Sequence, residues 1–264
     1  MNFERGMGMG MKKVMSAVLA VATVGVLVLT GCGTNIPAPI FVPENGSETE
    51  KEVVSEGTQS VLKDEAMFGA YQAVLKNEAV FLDKSAEESL FLKQFNITID
   101  PDLSLDFKEF AVIDLDGDDV PEIVLAEMLR NNKTDAIVDD TVGFLILRYL
   151  EDTVSGYPLY IRAFNDLKTD GTFSFSSGAA DNGYGKINFA GFQIENYPDS
   201  IIDDIAYMEG NMNDEGRIII DYFVNNEKST EEEYDLVMAA QRKKGKAVWY
   251  DFNEENIETV LAGL

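Results

Sequence analysis

The sequence predicts an α+β fold: a twisted antiparallel β-sheet with helices at the amino- and carboxyl-terminal ends of a single domain, residues 61–264. Three observations predict it. Apolar side chains recur at helical spacing where the domain begins, and two capped helical patterns lie near its end. Between them lies a long stretch rich in β-branched and aromatic residues, cut by Gly, Asp and Asn into short runs without helix-length connections.

The elements follow in order. Leu62, Ala66, Ala70, Val74 and Leu75 recur at helical spacing with Lys and Glu between them, predicting an amphipathic helix over Val61 to Leu82. A polar turn near Lys84 leads to a shorter helical piece, AEESLFLKQF. Phe110–Ile113 and Ile123–Leu125 read as strands joined by an acidic loop. TVGFLILRYL, GYPLYIRAF, TFSFSS and GKINFAGFQIE are four further strand candidates, and IIDDIAYM and RIIIDYFV continue the sheet. The period then changes. Ser229 and Thr230 precede Glu232 and Glu233 at the capping-box interval, opening a helix through Leu236, Val237, Ala240 and Gln241. AVWYDF is a late strand, and Asn253 caps a final helix, EENIETVLAGL. No internal repeat of fixed period is visible.

The first sixty residues read differently. Lys12 and Lys13 precede an uncharged run from Val14 to Leu29 that ends in Leu29-Thr30-Gly31-Cys32. Residues 1–32 thus have the order of a secretion signal, and the apolar run is shorter than the ~20 residues of a spanning helix. Met11, directly before the lysine pair, is an alternative start to Met1. Residues 33–60, rich in Pro, Gly, Ser, Thr and Glu, read as a flexible tether.

Composition narrows the chemistry. Cys32 is the sole cysteine and the chain has no histidine, so Ser-His-Asp and Cys-His catalysis and most zinc hydrolases are closed to the domain. The formal charge is -26, and removing residues 1–32 (Glu4 against Arg5, Lys12 and Lys13) takes it to -28. Nucleic acid is thereby excluded as a partner, while divalent cations or basic ligands are favoured.

The densest charge lies in "FAVIDLDGDDVPEIVL", where Asp114, Asp116, Asp118, Asp119 and Glu122 fall within nine residues between two apolar runs. Ionised neighbours ~5 Å apart repel by about 1 kcal/mol per pair even in water. Something positive must sit nearby. Asp114, Asp116, Asp118 and Glu122 occupy positions one, three, five and nine of loop 114–122, so a curled loop turns alternate carboxylates inward, with the carbonyl of Val120 at position seven. Hard oxygen ligands in that number suit calcium better than magnesium or zinc. The alternative is a solvated acidic hairpin without an ion. "GAADNGYGKINF", Gly178 to Phe189, reads either as a hairpin turn on Asn-Gly or as a loop where a ligand meets the backbone. Trp249 and Tyr250 read as core or sheet-face residues before they read as a sugar platform.

Leu29-Thr30-Gly31-Cys32 resembles the lipobox of bacterial lipoproteins, which implies cleavage before Cys32, lipidation of its sulfur and a lipid-anchored place on the extracytoplasmic face of the cell membrane. The acidic segment resembles the Asp-x-Asp-Gly-Asp calcium loops of integrin-like and related surface proteins. It departs from the EF-hand: position twelve is Leu125 rather than Glu, and position six is Asp119 rather than Gly. From about Ala66 to Leu264, through "IDLDGDDVPEIVL", "GAADNGYGKINF" and "STEEEYDLVMAAQ", the chain is similar to an uncharacterised family of Gram-positive lipoproteins sharing this loop. That resemblance implies a location and an ion, and no activity.

Three functions compete. A calcium-stabilised binding module for a protein, peptide or polysaccharide ligand asks least of the sequence. A carboxylate-dependent polysaccharide hydrolase, using Asp181 with another acid, is the alternative, and no environment in the sequence sets two acids apart. A solute-binding lipoprotein with two lobes usually needs more than ~200 residues.

Overall fold

The structure, a computed structural model, describes residues 56–95, 100–160, 162–176 and 181–263, with side chains from residue 65 onward. The leader, Cys32 and the tether up to residue 55 lie outside the described residues. The described chain belongs to one compact unit, Val53–Leu264.

Its elements are α1 (Glu56–Leu75), β1 (Phe81–Asp83), β2 (Glu88–Leu90), β3 (Leu103–Ile113), β4 (Glu122–Asn131), β5 (Ile137–Leu150), β6 (Thr153–Tyr160), β7 (Phe173–Ser176), β8 (Asn182–Ile187), β9 (Ile202–Met212), β10 (Ile218–Val224), β11 (Glu227–Ser229), α2 (Glu231–Arg242), β12 (Tyr250–Asp251) and α3 (Glu254–Ala262). The mixed class and the helices near both ends agree with the sequence. The single sheet does not: the strands form a seven-stranded sheet, β12-β3-β4-β5-β6-β1-β2, and a five-stranded sheet, β11-β10-β9-β8-β7. Neighbours are antiparallel except β1 and β6, which run parallel with Leu82 opposite Ser155.

Strand alternation explains how the larger sheet is buried on both faces. Ile123 and Leu125 of β4, with Leu145 and Leu147 of β5, meet α1 and α3 through Tyr71, Val74, Ile257 and Leu261. Val124, Ala126, Phe144 and Ile146 point the other way, onto Phe164, Phe173, Ile187 and Ile201. Tyr184 and Ala206, on the far face of the smaller sheet, receive Tyr234 and Met238 of α2. Among the described residues no helix is long and apolar enough to cross a membrane.

Local chemistry sets the helix ends. Thr230 Oγ1 accepts the Glu233 N–H at 3.2 Å, and Asn253 Oδ1 accepts the Asn256 N–H at 2.9 Å, as their cap positions predict. The first helix begins at Glu56, inside the segment read as tether, and stops at Leu75 rather than Leu82. The reason is a left-handed residue, Asn77, with φ of 59°. The Asn77 N–H returns to Val74 O and the Glu78 N–H to Ala73 O, a closed C-terminal turn that no helix continues through. AEESLFLKQF is likewise not helical: Glu88–Leu90 is β2, and Leu92–Gln94 a single 3₁₀ turn. A ten-residue apolar-and-polar run is too short for periodicity alone to separate the two states.

Asn182-Gly183 is not a turn either. Both residues lie inside β8, opposite Ser176 and Phe175. Glycine is needed at 183 for close approach, since a Cβ there would stand 2.4 Å from Ala206 O. Of the late strand AVWYDF, only Tyr250–Asp251 pairs, with Phe110 and Glu109 of β3.

Candidate metal centre

The acidic loop joins β3 to β4, with Ile113 opposite Glu122 as the last rung of the ladder. Its curl is drawn by its own carboxylates. Asp114 accepts the Gly117 N–H at 2.8 Å and the Asp119 N–H at 3.1 Å, and Asp118 accepts the Val120 N–H at 2.9 Å. Two left-handed residues permit the turn: Gly117, at φ of 82°, and Asp119, at φ of 64°, the position where an EF-hand uses glycine. Behind the loop, the buried Tyr71 of α1 donates its hydroxyl to Pro121 O at 3.1 Å and accepts the Tyr149 N–H at 2.8 Å. Removing that hydroxyl strands a backbone donor and an acceptor. Tyr71→Phe is therefore expected to lower stability by about 1–3 kcal/mol, read as a fall in the denaturant midpoint at constant slope. An unchanged midpoint would show that α1 does not anchor the loop.

The structure brings Asp114, Asp116 and Glu122 together, with one oxygen of each lying within 4.8 Å of the others; such a triad could hold a metal ion. Asp118 is turned differently. Its Oδ2 meets Arg148 Nη2 at 3.0 Å, as does Asp116 Oδ2, and Arg148 Nε lies 3.6 Å from Glu122 Oε1. The guanidinium also rests over the Phe189 ring, 4.4 Å from its centroid. Arg148 thus supplies positive charge that the loop needs, from β5, 32 residues beyond Asp116. Sequence reading missed it. Its only local sign is a charged residue in the otherwise apolar run TVGFLILRYL.

Arg148 does not satisfy the cluster. Glu122 is fully buried; its Oε2 accepts the Leu115 N–H at 2.9 Å, while Oε1 has no hydrogen-bond partner. Asp116 Oδ1 is buried and equally without one. Burial, reinforced by Asp116 and Asp118 and opposed by the Leu115 N–H and Arg148, pushes the Glu122 carboxyl up to about 8. Burial likewise raises Asp116. Arg148 meets three of the loop's five acids, and even with Glu122 protonated the loop keeps more negative than positive charge, the field in which a divalent cation binds.

The other singled-out residues are occupied structurally. Asp181 accepts the Gly210 N–H at 2.8 Å, Asn182 accepts the Tyr234 hydroxyl at 2.9 Å, and the Tyr184 hydroxyl donates to Asp166 at 2.9 Å. Gly178–Ala180 lie outside the described residues. Trp249 is half-buried, 6.0 Å from Phe144, on the wall of a cavity of about 480 Å³ that also meets Asp139, Asp166 and Lys246. Compared with protein-family models, with curated proteins and with solved structures, the chain matches none.

Proposed function

We propose that the protein is a lipid-anchored extracytoplasmic binding module whose acidic loop is stapled by calcium. The calcium reading is carried by two buried oxygens, Asp116 Oδ1 and Glu122 Oε1, that lack any hydrogen bond beside Asp114. Oxygens sharing one calcium at roughly 2.5 Å lie no more than about 5 Å apart, and the triad meets that spacing. Asp114, Asp116 and Glu122 would hold the ion in this reading, with Asp118 and the Val120 carbonyl as the further oxygen ligands. The ion's part is to neutralise the loop and lock β3 to β4. The lipid anchor rests on the resemblance at Leu29–Cys32, and the ligand of the module is a protein, peptide or polysaccharide of the cell surface.

Thermal unfolding of the full chain in detergent tests the calcium reading. At ~1 mM free calcium and a dissociation constant near 10⁻⁴ M, within the range of extracellular modules, binding stabilises the fold by about 1.4 kcal/mol. A melting point raised by roughly 3 to 6 °C over EGTA is expected, with magnesium giving less. Asp114→Asn combined with Asp116→Asn keeps the side-chain shapes and is expected to abolish most of the shift. Equal melting points with and without ~5 mM calcium, and no binding heat, would leave the solvated hairpin. The anchor is tested separately: Cys32→Ser is expected to move the protein from the detergent-extracted membrane fraction to the soluble one, and an unchanged distribution overturns it.

A further inference from the structure

A second buried acid lies far from the loop's chemistry. Glu127 is in β4, on the same face as Ile123 and Leu125, where an apolar residue is expected by strand alternation. It is 1% exposed, and its Oε1 has no hydrogen-bond partner. Its Oε2 stands where a side chain at the opposing Gly143 would begin, 2.5 Å from the Cβ position. The glycine thus leaves room for the carboxylate. Burial alone acts on it, raising it to about 8, with no basic neighbour to offset the desolvation.

Glu127 is on the wall of a cavity of about 430 Å³ between β6, the β1–β2 hairpin and the Tyr197-Pro198 segment. Asp83, 6% exposed, is on the same wall; Ser85 takes one of its oxygens through both its N–H (2.8 Å) and its hydroxyl (2.7 Å). Glu88 is a third acid there, and among the described residues no lysine or arginine lines the cavity. The neighbouring Lys84 is directed elsewhere, its Nζ 5.2 Å from the centre of the Phe192 ring. Phe95, Leu159, Tyr160 and Tyr197 supply apolar and aromatic walls.

We propose that this cavity binds a small organic cation, a primary ammonium group on an apolar body, with Glu127 and Asp83 receiving the ammonium and the aromatic walls its hydrocarbon part. The chemistry excludes the competitors. An anion would meet three acidic side chains and, among the described residues, no base. A bare metal ion would need convergent ligand oxygens, and among the described residues only the Asp114–Asp116–Glu122 group has them. The volume is that of a small-molecule site, and an ammonium group beside the acids with its hydrocarbon body against Phe95, Leu159, Tyr160 and Tyr197 gains from both. The site is separate from the calcium loop and does not depend on it.

The test is calorimetric titration of the full chain in a non-ionic detergent at about pH 8.5, where Glu127 ionises and the amines remain charged, with benzylammonium and n-butylammonium chloride, and with benzyl alcohol as the uncharged isostere. Saturable heat is expected from at least one amine and none from the alcohol. Glu127→Gln should weaken amine binding about tenfold or more, and Asp83→Asn should weaken it as well, each with an unchanged circular dichroism spectrum. The Asp114→Asn, Asp116→Asn double substitution should leave amine binding intact, which separates this site from the loop. Three results would overturn the proposal: no saturable heat from either amine to about 10 mM, equal binding of benzyl alcohol, or parental amine affinity in both folded single variants.

Discussion

Glu127→Gln is expected to flatten the fall of stability with rising pH, and to leave the variant more stable than the parent above pH 8. The sign follows from proton binding. Glu127 is raised to about 8 in the folded state, against the ordinary value of about 4.3 for an unfolded glutamate. Between those values the folded protein holds a proton that the unfolded chain releases, so stability is complete below about pH 4.5 and is lost as pH rises towards 8. Near-total burial leaves little solvent screening, and the loss is on the order of 5 kcal/mol, roughly 10 to 20 °C in melting temperature for a domain of this size. Glutamine brings a pH-independent cost of its own, because its amide also lacks partners. The informative quantity is therefore the slope. In melting curves of both proteins in EGTA the difference in melting point should move steadily in the variant's favour from about pH 5 to about pH 8, since Glu122 and every other titrating group are common to both. Parallel slopes would mean that Glu127 is solvated and not buried.

Arg148→Met should destabilise the protein by about 3–5 kcal/mol in EGTA and enlarge the calcium effect. In the folded state Arg148 is the basic side chain within 4.0 Å of Asp116, Asp118 and Glu122, and methionine keeps much of its length without its charge. The buried Glu122 and the half-buried Asp116 are then left with no counter-charge from Arg148, and the contact with Phe189 loses its cationic part. Calcium should recover a larger share of stability in the variant than in the parent, because a positive charge beside the ion has been removed and the same carboxylates remain. The pair of proteins, melted with and without calcium, forms a cycle whose coupling term is the measurement. Equal calcium shifts in both would place the ion, if bound, away from Arg148. A variant as stable as the parent in EGTA would mean that the loop's charges are balanced by solvent.

Features that depend on near neighbours were legible without any fold. Thr230 and Asn253 cap their helices because a cap needs a side chain and an N–H three residues apart. The acidic loop lies where its apolar flanks place it, and Asp119 takes the left-handed turn within a single hairpin. The absence of histidine and of any cysteine beyond Cys32 is a matter of composition. Periodicity overran the first helix because Ala79 to Leu82 continue the apolar pattern, while Asn77 alone reverses the backbone.

What the tertiary structure decided are the meetings of residues distant along the chain. Division of the strands into two sheets depends on which edges pair, and alternation along a strand is the same whichever partner it finds. Arg148 reaches the loop because β5 lies beside β4 with Leu147 opposite Ile123, and a one-residue slip would turn its side chain to the other face. The parallel pairing of β1 with β6 brings Asp83 to the wall that Glu127 approaches from β4. The physical reason is common to all three: side-chain pattern encodes which face is apolar, whereas register and strand order are settled only by the packing of whole faces against one another.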